Sequence, residues 1–143
     1  MPDFLYAIAL LRDYVWGGIA VVVADQPVFV SLMEASLARQ PDLEVVAQAG
    51  SLTEARRNAA EVSFDVAVLD LGLPDGNGAD LISDLRGSNP GAAVLILSAS
   101  LDPASLERAA EAGANKIMDK LTTPVELIGA IRRLGTGEPT DTV

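Results

Sequence analysis

The chain has 143 residues, half of them apolar and few aromatic, with a formal net charge of −10 and neither histidine nor cysteine. This length suits one domain with a single aliphatic core. The missing residue types exclude disulfides, Ser-His-Asp hydrolases, histidine phosphocarriers and metal sites built from cysteine or histidine. The acidic balance provides no global positive field to attract nucleic acid.

The first 18 residues are treated as a separate extension. Their apolar run is too short and too interrupted to span a membrane, and the start lacks the basic region of a signal peptide. Phe4, Ile8, Leu11 and Val15 share one helical face, which predicts an amphipathic N-terminal helix. We expect these residues to pack on their own domain, to form a partly disordered extension, or to make a dimer or partner contact. We expect a cytoplasmic protein.

From residue 19 onward, apolar strand-like runs alternate with amphipathic helical segments. The predicted strands are 19–25, 43–47, a run that begins near residue 64 and ends at Asp70, 92–98 and 115–118. The predicted helices are 27–39, 51–61, 81–87, 102–113 and 123–135, and turn or capping residues stand at their ends. The last residues, 136–143, are polar and contain Gly and Pro, as in a linker stub or a frayed end.

This alternation predicts an α/β domain over residues 19–135, with a parallel sheet, helices on both faces and right-handed crossovers. In such sheets the functional residues collect outside the carboxyl ends of the strands. Four polar residues occupy those positions after otherwise apolar runs: Asp25, Asp70, Ser98 and Lys120.

The four residues suit the chemistry of phosphoryl transfer. Two carboxylates brought together repel unless a cation neutralises them, and Mg²⁺ prefers such oxygen ligands. Lys120 and the hydroxyl of Ser98 can contact phosphoryl oxygens, and an aspartate among such neighbours can form an acyl phosphate. Each residue also has an ordinary structural role open to it, such as a turn serine, a solvated lysine or a helix cap. Their joint placement favours the functional interpretation.

Over residues 19–134 the chain resembles the receiver domain of two-component response regulators. The resemblance is carried by V-V-V-A-D-Q-P, V-L-D-L-G-L-P-D-G-N-G, L-I-L-S-A-S, G-A-N-K-I-M-D-K and T-P-V-E-L-I-G-A-I-R-R. It implies a single flavodoxin-like (βα)5 doubly wound sheet with strand order 2-1-3-4-5. The T-P-V-E-L segment is most similar to the NarL/FixJ-like subfamily, whose members often add a helix-turn-helix output domain.

The same resemblance implies a role for each strand-end residue. Asp70 would be the phosphoacceptor, and Asp25, Asp70 and the backbone carbonyl of Gly72 would bind Mg²⁺. Ser98 would be the switch hydroxyl and Lys120 the lysine that contacts the phosphate. The chain would then be a phosphoacceptor rather than a turnover enzyme, with a histidine kinase or phosphotransfer protein as its donor.

We expect phosphorylation to change a face made by helix four, strand five and helix five. That change would alter partner binding or dimerisation, the dimer forming through this face or through the N-terminal helix. We expect no direct contact of this domain with nucleic acid or a membrane.

Three positions depart from the family pattern. Ala24 stands where a second acid is usual, so Mg²⁺ affinity is expected to be reduced, and Ile117 stands where an aromatic residue is usual. Leu121 follows Lys120 in place of the common proline. Ala24 and Ile117, with the apolar extension, leave open a pseudo-receiver that acts as an interaction or dimerisation module without phosphorylation. A phosphatase of the haloacid-dehalogenase type would need a D-x-D motif, which Asp70 does not begin.

Overall fold

The computed structural model describes residues 18–25, 27–138 and 141–142. Its strands are β1 (Ile19–Ala24), β2 (Leu43–Ala49), β3 (Val66–Asp70), β4 (Ala93–Ser98) and β5 (Lys116–Asp119), all parallel, in the order β2-β1-β3-β4-β5. Its α-helices are α1 (Pro27–Leu37), α2 (Leu52–Glu61), α3 (Ile82–Ser88), α4 (Pro103–Ala112) and α5 (Pro124–Gly135). The predicted flavodoxin-like fold and strand order are confirmed, whereas the predicted N-terminal helix lies outside the described residues.

The sheet is covered on both faces, which explains why its three central strands, β1, β3 and β4, are apolar runs without alternation. On one face, Leu69 and Ile96 pack in a cluster with residues of α2, α3 and α4. On the other face, Val68 and Leu97 pack with residues of α1 and α5. The strands that lead to the carboxyl ends of β1, β3 and β4 therefore pack against apolar residues on both faces. Within the described ranges, none of the helices has the length and apolarity needed to cross a membrane.

Helix ends follow local sequence signals. Asp102 caps α4 by accepting a hydrogen bond from the backbone N–H of Ser105, and Gly113 ends that helix with φ of 102°, a conformation that glycine adopts without steric cost. The hydroxyls of Ser51 and Thr123 cap α2 and α5 in the same way. These starts and the end at Gly113 agree with the sequence prediction.

Some local predictions were wrong. Gly87 was expected to close α3 but lies inside it, and the helix continues to Ser88, where Asn89 caps it. The helical spacing of Leu32 and Val125 with the other apolar residues of their helices predicts that both are buried, yet they are 65% and 80% exposed. Helices α1 and α5 carry apolar residues on more than one side, so composition alone did not identify the buried face. The buried residues of α5 are Leu127, Ala130, Ile131 and Leu134.

Two features were not predicted at all. The loop after β3 forms a small antiparallel hairpin in which Gly72–Leu73 pairs with Gly76–Asn77, and a 3₁₀ turn, Gly78–Leu81, follows it into α3. At the other end of the chain, the carbonyl of Thr142 accepts a hydrogen bond of 2.6 Å from the N–H of Ile117 on the edge strand β5.

Candidate functional site

The strand order brings the four predicted site residues to one edge of the sheet. Asp25 follows β1, Asp70 ends β3, Ser98 ends β4 and Lys120 follows β5. Strands β1 and β3 are neighbours in the sheet. From β1 the chain passes to β2 on one side, and β3 is the first strand on the other side of β1. This reversal between β1 and β3 is the position where open α/β sheets form a crevice.

A lysine links the two carboxylates in this crevice. The Lys120 ammonium nitrogen lies 2.8 Å from Asp25 Oδ1 and 2.9 Å from Asp70 Oδ2. The side chains of Asp25, Asp70 and Lys120 are 1%, 7% and 17% exposed. The ammonium also stands 5.1 Å from the centroid of the Phe29 ring, within the range of a cation–π contact. The three charged groups thus form a mostly buried cluster with one positive charge against two negative ones.

The charge state of Lys120 follows from competing effects. Burial favours the neutral amine and by itself would lower the pKa of Lys120, but hydrogen bonds and charge attraction from Asp25 and Asp70 outweigh burial, so that pKa is raised. The amine is therefore a protonated, threefold hydrogen-bond donor at neutral pH. A compact cation held in this way is suited to contacting phosphoryl oxygens.

The second oxygen of Asp70 is oriented by the following loop. Asp70 Oδ1 accepts a hydrogen bond of 3.0 Å from the N–H of Gly72. Gly78 passes so close to β3 that a Cβ atom there would lie 2.2 Å from the Asp70 carbonyl oxygen. The absence of a side chain at Gly78 thus allows the hairpin to return directly beside the strand end, which keeps the Gly72 backbone next to the carboxylate.

The backbone of Ser98 contacts Lys120 of the site, while the Ser98 hydroxyl forms hydrogen bonds within its own loop. The Ser98 carbonyl accepts a hydrogen bond from the N–H of Lys120 at 3.0 Å. The Ser98 hydroxyl donates to the carbonyl of Ser100 at 2.6 Å and accepts from the N–H of Ser100 at 3.2 Å. The sequence correctly located Ser98 at the strand end, but the local partner of its hydroxyl depends on the loop conformation and had no sequence signal.

The oxygen ligands at this edge of the sheet fit a hard cation that is bound with modest affinity. Asp25 and Asp70 provide carboxylate oxygens, and the described residues contain no group of three or more acidic side chains placed to hold a metal ion. Mg²⁺ is usually held by only one or two carboxylates, with water and phosphate oxygens completing its shell. Ala24, which is fully buried, contributes no ligand where an acid would.

Comparison with known proteins identifies the family that shares this arrangement. A family model described as the response regulator receiver domain matches residues 20–132. The chain belongs to the response regulator receiver family. The resemblance drawn from the strand-end motifs is thereby confirmed.

The relatives of this chain indicate the NarL/FixJ-like subfamily. The chain is 38% identical over 101 residues to the transcriptional regulatory protein UhpA of Salmonella typhimurium, a match covering 71% of this chain and 50% of UhpA. It is 39% identical to the DNA-binding transcriptional activator DevR/DosR of Mycobacterium tuberculosis, covering 71% of this chain and 46% of the relative. The chain therefore spans about half the length of these curated relatives.

Solved structures agree with the receiver assignment. A two-component response regulator of the LuxR family from Aurantimonas sp. SI85-9A1 superposes with a TM-score of 0.79 at 28% identity, covering 87% of this chain and 90% of that one. The signal receiver domain of the putative response regulator NarL from Mycobacterium tuberculosis gives a TM-score of 0.73 at 27% identity, covering 85% and 98%.

Two residues around the receiver site were missed by sequence reasoning. The helical spacing of Phe29 predicts only a place in the apolar stripe of its helix, although its ring lies beside the Lys120 ammonium. Asp75, at the tip of the hairpin, caps helix α2. The only sequence signal for Asp75 was the P-D-G triplet, which predicts a turn but does not say which element the carboxylate contacts.

Proposed function

We propose that this receiver accepts a phosphoryl group on Asp70. The observation that carries the proposal is the position of the Lys120 ammonium, within hydrogen-bond distance of both Asp25 and Asp70. A cation held beside the acceptor can neutralise charge on the incoming group. Phosphoryl transfer depends mainly on such positioning and neutralisation.

In the proposed reaction, an Asp70 carboxylate oxygen attacks the phosphorus of a phosphohistidine on a kinase or phosphotransfer protein. The new P–O bond forms as the P–N bond breaks, and the departing imidazole takes up a proton. Lys120 exchanges part of its contact with the carboxylates for a phosphoryl oxygen. Later hydrolysis of the acyl phosphate returns Asp70 to its ionised form, so the domain is a phosphoacceptor rather than an enzyme acting on a separate substrate.

Mg²⁺ would be held by the carboxylates of Asp25 and Asp70 and by the carbonyl of Gly72. When bound, the ion neutralises negative charge shared between carboxylates and phosphoryl oxygens. Because Ala24 supplies no carboxylate, we expect occupancy to depend on the phosphoryl group as a further ligand and affinity to be low in its absence.

Phosphorylation would act on the rest of the domain through Ser98. For the Ser98 hydroxyl to contact a phosphoryl oxygen, its bond to the Ser100 carbonyl must open, which moves the loop that leads into α4. The face formed by α4, β5 and α5 would then exist in two arrangements with different affinity for a partner or a second copy. The names of UhpA and DevR/DosR describe transcriptional regulators, so we propose a cytoplasmic role in regulating transcription.

Beryllofluoride, which mimics a bound phosphoryl group, provides a direct test. We expect beryllofluoride with Mg²⁺ to shift the backbone amide NMR signals of Gly72, Ser98 and the start of α4 in the wild-type protein. Asp70→Asn should show no such shifts, and removing Mg²⁺ with a chelator should reverse them. Identical spectra for the wild type and Asp70→Asn would overturn the proposal and favour the pseudo-receiver.

A further inference from the structure

The hairpin after β3 is attached to a different layer of the fold at its tip. Asp75 Oδ1 accepts a hydrogen bond of 2.7 Å from the N–H of Leu52, and Oδ2 accepts from the N–H and the hydroxyl of Thr53 at 3.1 and 3.0 Å. Leu52 and Thr53 are the first residues of α2. The carboxylate therefore satisfies two N–H groups that have no partner within the helix and lies at the positive end of its dipole.

Packing brings the same two elements together independently of the hydrogen bonds. A Cβ atom at Gly76 would lie 2.6 Å from Leu52 Cδ1, so the residue after Asp75 rests directly on the first side chain of α2. Leu52 itself is buried in the core. The tip of the hairpin is thus fixed both by a charged cap and by close contact.

The other end of the hairpin carries atoms of the phosphorylation site. The N–H of Gly72 donates to Asp70 Oδ1, and Gly72 pairs across the hairpin with Asn77. A hairpin with two residues in each strand is not stable alone. The position of Gly72 therefore depends on what holds the hairpin at its base, beside Gly78, and at its tip, through Asp75.

We infer that Asp75 is a positioning residue for the phosphoacceptor site. It holds the Gly72 backbone against Asp70 by fastening the hairpin to α2, without touching the reacting atoms. The inference deepens the proposed phosphorylation function and, for its effect on metal binding, rests on it. Because the hydrogen bonds of Leu52 and Thr53 keep the pKa of Asp75 below its usual range, the carboxylate stays ionised at neutral pH.

The chain contains a matched control at the same helix end. The Ser51 hydroxyl also caps α2, by accepting from the N–H of Glu54 at 3.1 Å, but it makes no hydrogen bond to the hairpin. Ser51→Ala and Asp75→Ala each remove a cap from α2, so a purely structural role would give both variants the same behaviour. Asp75→Asn keeps one acceptor oxygen for the N–H groups of α2 and should give an intermediate result.

The experiment compares these variants by amide hydrogen exchange at Gly72 and by Mg²⁺ titration in the presence of beryllofluoride, followed by NMR. We expect Asp75→Ala to lose protection at the Gly72 amide and to bind Mg²⁺ about tenfold more weakly, as for other residues that orient metal ligands. Ser51→Ala should match the wild type in both measurements, even where its thermal stability falls.

Equal Gly72 protection and equal Mg²⁺ affinity in Asp75→Ala and Ser51→Ala would overturn the inference. If Asp75→Ala does not fold, Asp75→Asn is judged against Ser51→Ala by the same criteria. If the wild-type protein binds no Mg²⁺ even with beryllofluoride present, the proposed function fails, while exchange at Gly72 still decides whether Asp75 positions that backbone.

Discussion

At the scale of single residues, the site depends on Lys120 as the counter-charge for two buried aspartates. Removing one member of a buried charged group usually costs more than the group contributes as a whole, because the charges left behind lose both water and their partner. Asp25 and Asp70 are far less exposed than Lys120, so the penalty falls on the carboxylates. They can avoid it only by taking up a proton or binding another cation.

We therefore expect Lys120→Met to lower the free energy of unfolding by about 3 kcal/mol at pH 7. The variant leaves two buried carboxylates without their counter-charge, so binding of another cation between them should recover part of this loss. Urea unfolding of the variant with and without Mg²⁺ measures the recovery, with Lys116→Met on the preceding strand β5 as the control. A loss that added Mg²⁺ leaves unchanged would contradict the explanation.

In the wild type, the stabilisation that Lys120 contributes depends on pH only in the alkaline range. Its pKa is raised above the usual lysine value of 10.5, so its contribution to stability is fully present below that value. The contribution is lost only as pH rises through the higher folded-state pKa. Between pH 6 and 9 we expect no change in stability from this lysine, which unfolding curves across that range can check.

A pair of glycines tests the backbone packing behind the phosphoacceptor. Gly78→Ala places a Cβ atom 2.2 Å from the Asp70 carbonyl oxygen, whereas a Cβ atom at Gly87 inside α3 meets nothing within 4 Å. We expect Gly78→Ala to destabilise the fold by about 2 kcal/mol and Gly87→Ala to stabilise it by about 0.5 to 1 kcal/mol. Thermal unfolding of both variants measures the contrast, and equal midpoints would refute this account of the loop.

At the scale of elements, α5 is joined to the loop before β2 by an ion pair. Arg132 Nε lies 2.7 Å from Asp42 Oδ2, and the second guanidinium nitrogen contacts both Asp42 and Gln40. The hydrogen bond from Arg132 is the main cause of a lowered pKa of Asp42. Both side chains are about two-fifths exposed, so water and salt screen much of the interaction.

We expect Arg132→Met to cost less than about 1 kcal/mol at neutral pH and low salt. Because the folded-state pKa of Asp42 is lowered, this stabilisation is present above the usual aspartate value of 3.8 and disappears as pH falls through the lower folded value. Chemical unfolding at several pH values and at low and high salt measures the loss of stability in Arg132→Met, with the exposed Arg133→Met as the control. If the loss in Arg132→Met persists at high salt, packing rather than charge links the two elements.

The elements differ in how well the sequence predicted them. The end of β3 at Asp70 was clear because an apolar run stops there at a charged residue, a pattern that does not depend on distant contacts. The end of β5 was placed at Met118, one residue before its observed end at Asp119. The hairpin from Gly72 to Asn77 was missed because strands of two residues have no periodicity to detect. The side chains of Leu32 and Val125 were misplaced because the buried face of a helix is decided by the sheet beneath it rather than by composition.

The same distinction applies to the site. Parallel topology places Asp25 and Asp70 at the same edge of the sheet, and the strand order implied by the receiver resemblance makes their strands neighbours, so their approach followed from the predicted fold. The hydrogen bond of the Ser98 hydroxyl to Ser100 and the reach of Asp75 to α2 depend on loop conformations. These arise from tertiary packing and left no pattern in the sequence beyond turn-forming residues.

At the scale of the whole molecule, the receiver combines a rigid apolar core with a charged crevice on a strongly acidic chain. The net charge of −10 gives this chain no long-range attraction for nucleic acid. The chain nevertheless matches about half the length of DevR/DosR, a relative named as a DNA-binding transcriptional activator. Its proposed contribution to regulation is therefore the chemical event at Asp70 and the changes in protein contacts that follow from it.

Intact-mass spectrometry after incubation with acetyl phosphate and Mg²⁺ tests that event most directly. We expect the wild-type protein to gain the mass of one phosphoryl group, because Asp70 attacks the phosphorus and acetate leaves. Asp70→Asn should gain none, and wild-type protein treated with a chelator should gain little. An unchanged mass for the wild type, or an equal gain in Asp70→Asn, would contradict the assignment of Asp70 as the phosphoacceptor.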